Sequence, residues 1–204
     1  MTDTSNARPG LRRLRGSLPT LLLLLLIMIT RSTLADHYHV PSGSMQPALM
    51  PGDQVLVHKA AYGWRVPFTK QVLWSGGQPA AGDVVIFDAP DDGTRLIKRV
   101  VATGGDQVVI RAGRVFINGE PRARFSPWQE ERYGNQFVAL NLAQGGGRDL
   151  GPLTVPEGHV LVLGDHRGAS RDGRYFGTVP ASELYGRASR VIWRRSQGPV
   201  WMRL

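Results

Sequence analysis

The sequence predicts a mainly β protein, built from antiparallel sheet behind one N-terminal transmembrane helix. Three observations point to this class. The chain of 204 residues contains 25 glycines and 14 prolines with only 8% aromatic residues, which is typical of many short strands joined by turns. From position 54 onward, runs rich in Val and Ile are separated by turn residues. Near the N-terminus, a leucine-rich run directly follows a basic segment.

The N-terminal segment has the pattern of a basic tail and a membrane anchor. We expect residues 1–17 to be cytoplasmic because arginines precede the apolar run, namely Arg8, Arg12, Arg13 and Arg15. Residues 18–35 are the predicted anchor, which reaches the length of about 20 residues if Arg31 snorkels to the far interface. A signal peptide cleaved after residues 33–35 is the alternative. Under either interpretation residues 36–204 form an exported domain.

The strands are predicted from apolar runs that Gly, Pro or Asp residues bound. Their apolar content on both faces favours a closed or sandwiched sheet. The runs are 54–59, 83–89, 94–103, the hairpin 107–120, 159–163 and 184–193. Two segments interrupt the pattern. Residues 60–81 form a long excursion with apolar tips that we expect to dip into lipid, and residues 121–152 are interpreted as an insertion with little core of its own.

The charge and the absence of cysteine limit the function classes. The formal charge of +9 suits either nucleic acid or an anionic membrane surface, and the N-terminal pattern favours the membrane. With no cysteine, disulfides and thiolate metal ligands are excluded. The pair His37 and His39 is a weak metal signal, and no histidine has neighbours that suggest a Ser/His/Asp arrangement.

The stretch PSGSM, residues 41–45, is the candidate nucleophile segment. Gly43 allows a tight turn between the hydroxyls of Ser42 and Ser44, and Pro41 and Pro47 restrict the backbone on either side. A serine hydroxyl is a poor nucleophile unless a base accepts its proton. The alternative is an ordinary Ser-Gly turn without chemistry.

Lys98 is the candidate base. In the run 94–103, alternation places Lys98 on the same strand face as Leu96, Val100 and Ala102. Burial of an ammonium favours the neutral amine, which lowers its pKa and makes it able to accept a proton. The alternative is a lysine whose stem packs on the sheet while its head reaches water.

Four motifs, in this order, resemble those of bacterial type I signal peptidases, the membrane-bound Ser/Lys proteases that remove signal peptides. They are PSGSMQPALMPGD, GDVVIF, LIKRVVATGGD and GDHRGASRDGRYFG, and the resemblance covers most of residues 40–193. It implies a β-sheet catalytic domain with Ser44 as nucleophile and Lys98 as general base. It also implies that the Ser42 hydroxyl and the Ser44 N–H form the oxyanion hole, and that Ser170 hydrogen-bonds the lysine and orients it.

The same resemblance implies two ion pairs that brace the last motif. One joins Asp172 to Arg174, and the other joins Asp165 to Arg99. The family more often has Asn, Asp and Asn at three positions of this motif where this chain differs, at His166, Gly168 and Ala169.

The functional expectation is an inner-membrane endopeptidase that cuts secretory preproteins after small residues, in an Ala-x-Ala pattern. The resemblance implies no metal or cofactor, and the expected partners are preproteins and membrane lipid, without nucleic acid. Two alternatives remain open: a maturation peptidase of the same family dedicated to one conjugation or pilus substrate, or a catalytically silent binding module for anionic lipid or nucleic acid.

Overall fold

The computed structural model describes residues 19, 20, 23, 35–65, 72–74, 76–123 and 129–204. Most of the predicted anchor and the apolar tip of the excursion at 60–81 therefore lie outside the described residues. In the part of the chain that is described, no helix is long and apolar enough to cross a membrane.

Strands dominate the described residues, so the prediction of a mainly β, antiparallel protein is confirmed. The strands are β1 (Ala35–His39), β2 (Gln54–His58), β3 (Trp64–Arg65), β4 (Val72–Trp74), β5 (Val84–Asp88), β6 (Arg95–Thr103), β7 (Gln107–Arg111), β8 (Arg114–Ile117), β9 (Glu120–Pro121), β10 (Glu130–Tyr133), β11 (Gln136–Ala139), β12 (Leu150–Thr154), β13 (His159–Leu163), β14 (Val179–Pro180), β15 (Leu184–Arg194) and β16 (Gly198–Arg203). The helical pieces are short: 3₁₀ turns at Gly43–Met45, Lys59–Tyr62, Arg167–Ala169 and Ala181–Glu183, and the α-helix α1 at Gly173–Phe176.

The largest sheet has the strand order β1-β2-β15-β5-β6-β13-β14, and β16 also pairs with β15. Its pairings are antiparallel. A second antiparallel sheet has the order β12-β7-β8-β9, and β10 and β11 form a hairpin. Strand β6 lies between β5 and β13, so a side chain in the middle of β6 is far from any sheet edge.

Strand β6 is buried on both faces, which explains its nearly continuous apolar sequence. Leu96 and Val100 pack in one hydrophobic cluster, as alternation predicts, and Ile97 packs in another. Ala102, however, lies in a third cluster together with Val101. The prediction that Ala102 shares the face of Leu96 and Val100 is therefore wrong, because the register between β6 and β13 shifts at this point.

The hairpin predicted at 107–120 is present and is followed by a second tight turn. Ala112 and Gly113 join β7 to β8 with φ values of 48° and 76°, and Asn118 and Gly119 join β8 to β9 with φ values of 55° and 84°. Two consecutive positive φ angles are the geometry of the type I′ turn, which matches the twist of the flanking strands.

The segment 121–152 contributes more to the core than its sequence suggested. Its hairpin β10–β11 buries Tyr133 and Val138, and Leu140 follows, in the same cluster as Val108 and Ile110 of β7. The expectation of little core was wrong because the segment completes a shared core instead of building a separate one.

Candidate active site

Ser44 lies in the 3₁₀ turn between β1 and β2, and the surrounding loop is held at both ends. Its neighbour Met45 and the nearby Leu49 are fully buried in the core below. The buried Asp53 accepts a hydrogen bond from the Met50 N–H at 3.0 Å and pairs with Arg194 of β15 at 2.8 Å. The loop that carries Ser44 is therefore fixed against the main sheet.

Lys98 extends from the middle of β6 to the Ser44 hydroxyl. Its Nζ lies 2.7 Å from Ser44 Oγ and 3.1 Å from the carbonyl oxygen of Ile97, and the residue is 3% exposed. Burial lowers the pKa of the Lys98 ammonium from its ordinary 10.5 to about 8, although Asp172 and Asp165 oppose this shift. The amine can thus be neutral at mildly alkaline pH, and it is within reach of the proton that Ser44 would release.

Ser42 lies on the exposed side of Ser44. The distance between the two hydroxyl oxygens is 3.3 Å. Ser42 is solvent-exposed whereas Ser44 is buried, so the Ser42 hydroxyl is on the side from which a substrate carbonyl can approach. This position is compatible with a donor to a developing oxyanion.

The loop after β13, residues 164–174, packs against the turn that carries Ser44. The His166 N–H donates to the Ser44 carbonyl oxygen at 3.1 Å. Asp165 forms a two-bond pair with Arg99, with Nε–Oδ1 at 2.9 Å and Nη2–Oδ2 at 2.8 Å. Both side chains are almost fully buried. Since Arg99 directly follows Lys98, this pair joins the loop to the strand that carries the lysine.

A second buried ion pair, between Asp172 and Arg174, lies within the loop. Arg174 Nε lies 2.8 Å from Asp172 Oδ1, and both side chains are fully buried. Asp172 also accepts the Gly164 N–H at 3.0 Å, so its carboxylate joins the first and last parts of the loop. Arg174 donates further to the carbonyl oxygens of Arg167 and Gly146, each at 2.6 Å.

Ser170 is near the site but does not make the contact that the resemblance implies. The residue is 7% exposed and its Oγ has no hydrogen-bond partner among the described residues. It packs against Gly164, where an added Cβ would overlap Ser170 Oγ and the Ser44 carbonyl oxygen. Gly164 therefore allows the loop to lie directly on the backbone of Ser44.

Two of the three departures from the family motif are buried or closely packed. His166 is buried, and its Nε2 has no partner in the described part of the chain. A Cβ at Gly168 would overlap the Gln144 carbonyl oxygen, so a larger residue could not fit beside the segment 121–152. The glycine at this position is thus a consequence of how closely that segment packs on the loop.

Sequence reasoning missed Glu131, Tyr133 and the role of Arg167. Glu131 Oε2 lies 2.6 Å from Arg167 Nη2 and accepts the Tyr133 hydroxyl at 2.6 Å. The signal available in the sequence was the spacing of Glu131 and Tyr133, two positions apart just before the turn at Gly134, which places both on the same face of β10. It was hidden because a glutamate is rarely buried.

The weak metal signal has no structural counterpart in the residues described. His37 and His39 are exposed, and within the described ranges no three His, Asp or Glu side chains come together in a way that could hold an ion.

A buried serine beside a buried lysine, on a scaffold of antiparallel strands, is the arrangement of a serine hydrolase that uses an amine in place of histidine. The sequence profile described as "Signal peptidase, peptidase S26" matches residues 14–193. The chain belongs to this family of serine peptidases.

Its relatives include signal peptidase I of Pseudomonas fluorescens. The two are 32% identical over an alignment of 194 positions, which covers 83% of this chain and 68% of the relative. Signal peptidase I of Pseudomonas aeruginosa is 31% identical with the same coverage. Thylakoidal processing peptidase 1 of Arabidopsis thaliana is 32% identical over 83% of this chain and 45% of the plant protein. The crystal structure of a signal peptidase I from Enterococcus faecalis aligns with a TM-score of 0.38 at 29% identity, over 54% of this chain and 97% of that one.

Proposed function

We propose that this protein is a membrane-bound endopeptidase that removes signal peptides from secretory preproteins, cutting after small residues in an Ala-x-Ala pattern. Ser44 is the nucleophile and Lys98 the general base. The observation that carries this proposal is the 2.7 Å distance between Lys98 Nζ and Ser44 Oγ at a buried position, where the amine has a lowered pKa.

The reaction proceeds through an acyl-enzyme. Ser44 Oγ attacks the scissile carbonyl while its proton passes to the neutral Lys98 amine. The Ser42 hydroxyl and the Ser44 N–H stabilise the oxyanion. Lys98 then protonates the leaving amine, which breaks the peptide bond and leaves an ester on Ser44. Finally, Lys98 takes a proton from water as the water oxygen attacks the ester, and it returns that proton to Ser44 Oγ when the ester bond breaks and the acid leaves. No step needs a metal or cofactor.

The proposed topology is a cytoplasmic tail at 1–17, a retained anchor at 18–35 and a catalytic domain at 36–204 outside the inner membrane. Its partners are preproteins and inner-membrane lipid, and no nucleic acid. Protease added to spheroplasts should digest the domain and leave a small N-terminal fragment. A mature protein that begins at Asp36 would contradict a retained anchor.

Cleavage itself is tested with the purified full-length protein in detergent and a model preprotein with an Ala-x-Ala site. Mass spectrometry of the product should show a new N-terminus directly after the second alanine. The Ser44→Ala variant is the matched control and should give none. If the parent leaves several different preproteins intact, the proposal of a general signal peptidase fails, and cutting of only one of them would identify a dedicated maturation enzyme.

A further inference from the structure

The ion pair between Glu131 and Arg167 connects the segment 121–152 to the loop 164–174, which packs against the Ser44 turn. Arg167 Nη2 lies 2.6 Å from Glu131 Oε2, and Nη1 lies 3.2 Å from Oε1. Both side chains are 0% exposed. A pair this deeply buried is held by its charge as well as its hydrogen bonds, since neither group can return to water without unpacking the core.

Arg167 belongs to the loop 164–174, and its other bonds go to Gly164 at the start of that loop, to Asn141 of the segment 121–152 and to Gly113 between β7 and β8. Its Nε donates to the Gly164 carbonyl oxygen at 3.0 Å, and its backbone N–H donates to the Asn141 carbonyl oxygen at 3.0 Å. The preceding residue, His166, donates its N–H to the Ser44 carbonyl oxygen. Arg167, which binds Glu131, is thus the direct chain neighbour of His166, which binds the Ser44 carbonyl oxygen.

The Glu131 carboxylate is itself fixed from several directions. Its Oε1 accepts the Val115 N–H at 2.9 Å, and its Oε2 accepts the Tyr133 hydroxyl at 2.6 Å. These contacts come from strands β8 and β10, whose residues Val115 and Tyr133 pack in the same hydrophobic cluster as Val101 and Ala102. The carboxylate is therefore a rigid point to which the catalytic loop is attached.

We propose that Glu131 is a positioning residue for peptide cleavage, and that its carboxylate holds Arg167 so that the loop 164–174 stays closed against Ser44 and over Lys98. This inference rests on the proposed roles of Ser44 and Lys98. It assigns the segment 121–152 a part in catalysis, although none of its described residues forms a hydrogen bond with the Ser44 or Lys98 side chain.

Loss of the carboxylate should change both the rate and its pH dependence. A loosened loop displaces Ser44 from Lys98, and a displacement of about 1 Å can cost on the order of a hundredfold in rate. It also admits water to Lys98, whose pKa then rises from about 8 toward its ordinary 10.5. The alkaline shift is informative because a simple loss of folded protein lowers the rate at every pH without moving the profile.

The test compares Glu131→Gln with the parent, using the full-length protein in detergent and a peptide that contains the cleavage site. We expect kcat to fall at least about tenfold, with the acidic limb of the kcat/KM profile shifted to higher pH. Glu131→Asp, which keeps the charge, should recover part of the rate and the parental limb. Glu130→Gln, in the same strand, is the matched control and should resemble the parent.

Each outcome decides the question. A folded Glu131→Gln protein with the parental pH limb overturns the proposal, whether or not its kcat is lower. If this variant does not fold, Tyr133→Phe replaces it, since it keeps the ion pair but removes one hydrogen bond to the carboxylate. A smaller shift of the limb in the same direction supports the proposal, and an unshifted limb overturns it. Failure of the Ser44/Lys98 assignment is recognised separately, because the Ser44→Ala variant would then still cleave the peptide.

Discussion

Replacement of Lys98 by methionine should inactivate the protein and yet stabilise it near neutral pH. The pKa of Lys98 is lowered from 10.5 to about 8 because the amine is buried. Between these two values the unfolded chain binds a proton that the folded chain does not, so the free energy of unfolding rises with pH across this window. Below about pH 8 the cost is constant, and at about 1.4 kcal/mol per pKa unit it amounts to roughly 3 kcal/mol.

The methionine avoids this cost but loses two hydrogen bonds. Lys98 bonds Ser44 Oγ at 2.7 Å and the Ile97 carbonyl oxygen at 3.1 Å, and each bond is worth about 1 kcal/mol. Lys98→Met should therefore be more stable than the parent by about 1 kcal/mol at pH 7. It should become less stable at high pH, where the neutral lysine costs nothing and keeps its bonds.

Urea unfolding followed by tryptophan fluorescence, at several pH values between neutral and the ordinary lysine pKa, measures this difference. Groups that titrate in both proteins cancel in the comparison. Lys98→Arg is the matched control: it should also be inactive, and it should be destabilised because a buried guanidinium cannot lose its proton. A stability difference between parent and Lys98→Met that is the same at every pH would refute a buried lysine of lowered pKa.

Three further results are expected from the same site. Activity of the parent should rise with pH through about 8, as Lys98 loses its proton, and a flat profile across this range would exclude it as the base. Ser44→Ala should abolish cleavage, whereas Ser42→Ala should lower kcat by about 10²–10³; equal and complete loss from both would contradict their separate roles. Asp172→Ala should destabilise the protein by about 3–5 kcal/mol because Arg174 stays buried without a partner, and thermal melts with unchanged midpoints would argue against this.

Much of the fold could be predicted because its strands have local signals. The runs in β5, β6 and β13 are apolar on both faces and end at Gly, Pro or Asp, and each type I′ turn has a glycine at the second of its two positive-φ positions. The register shift beside Val101 could not be predicted, because it depends on the neighbouring strand. The role of residues 121–152 was also missed. In the sequence Glu131 and Tyr133 look like surface residues, because their burial depends on the contact of Glu131 with Arg167, which is distant along the chain.

The candidate site could also be predicted only in part. The sequence could indicate that Lys98 is buried, because Leu96 and Val100, two positions away on either side, are apolar. It could not bring Lys98 to Ser44, 54 positions earlier, by local pattern, and only the family resemblance connected them. For Ser170 that resemblance implied a hydrogen bond to Lys98, but the Ser170 hydroxyl has no hydrogen-bond partner among the described residues.

In the proposed anchored protein, the pairing of β1 limits how far Ser44 can be from the bilayer. Ala35, the last residue of the proposed anchor, lies opposite His58, and the whole strand to His39 is paired with β2. Between Ala35 and Ser44 the chain can span only about 30 Å even when fully extended. In an anchored enzyme this short segment would fix the distance between the active site and the membrane surface. Scissile bonds would be cut only at a fixed height above the membrane, and a spacer inserted before Ala35 would change which preproteins are processed while the chemistry of the site stays intact.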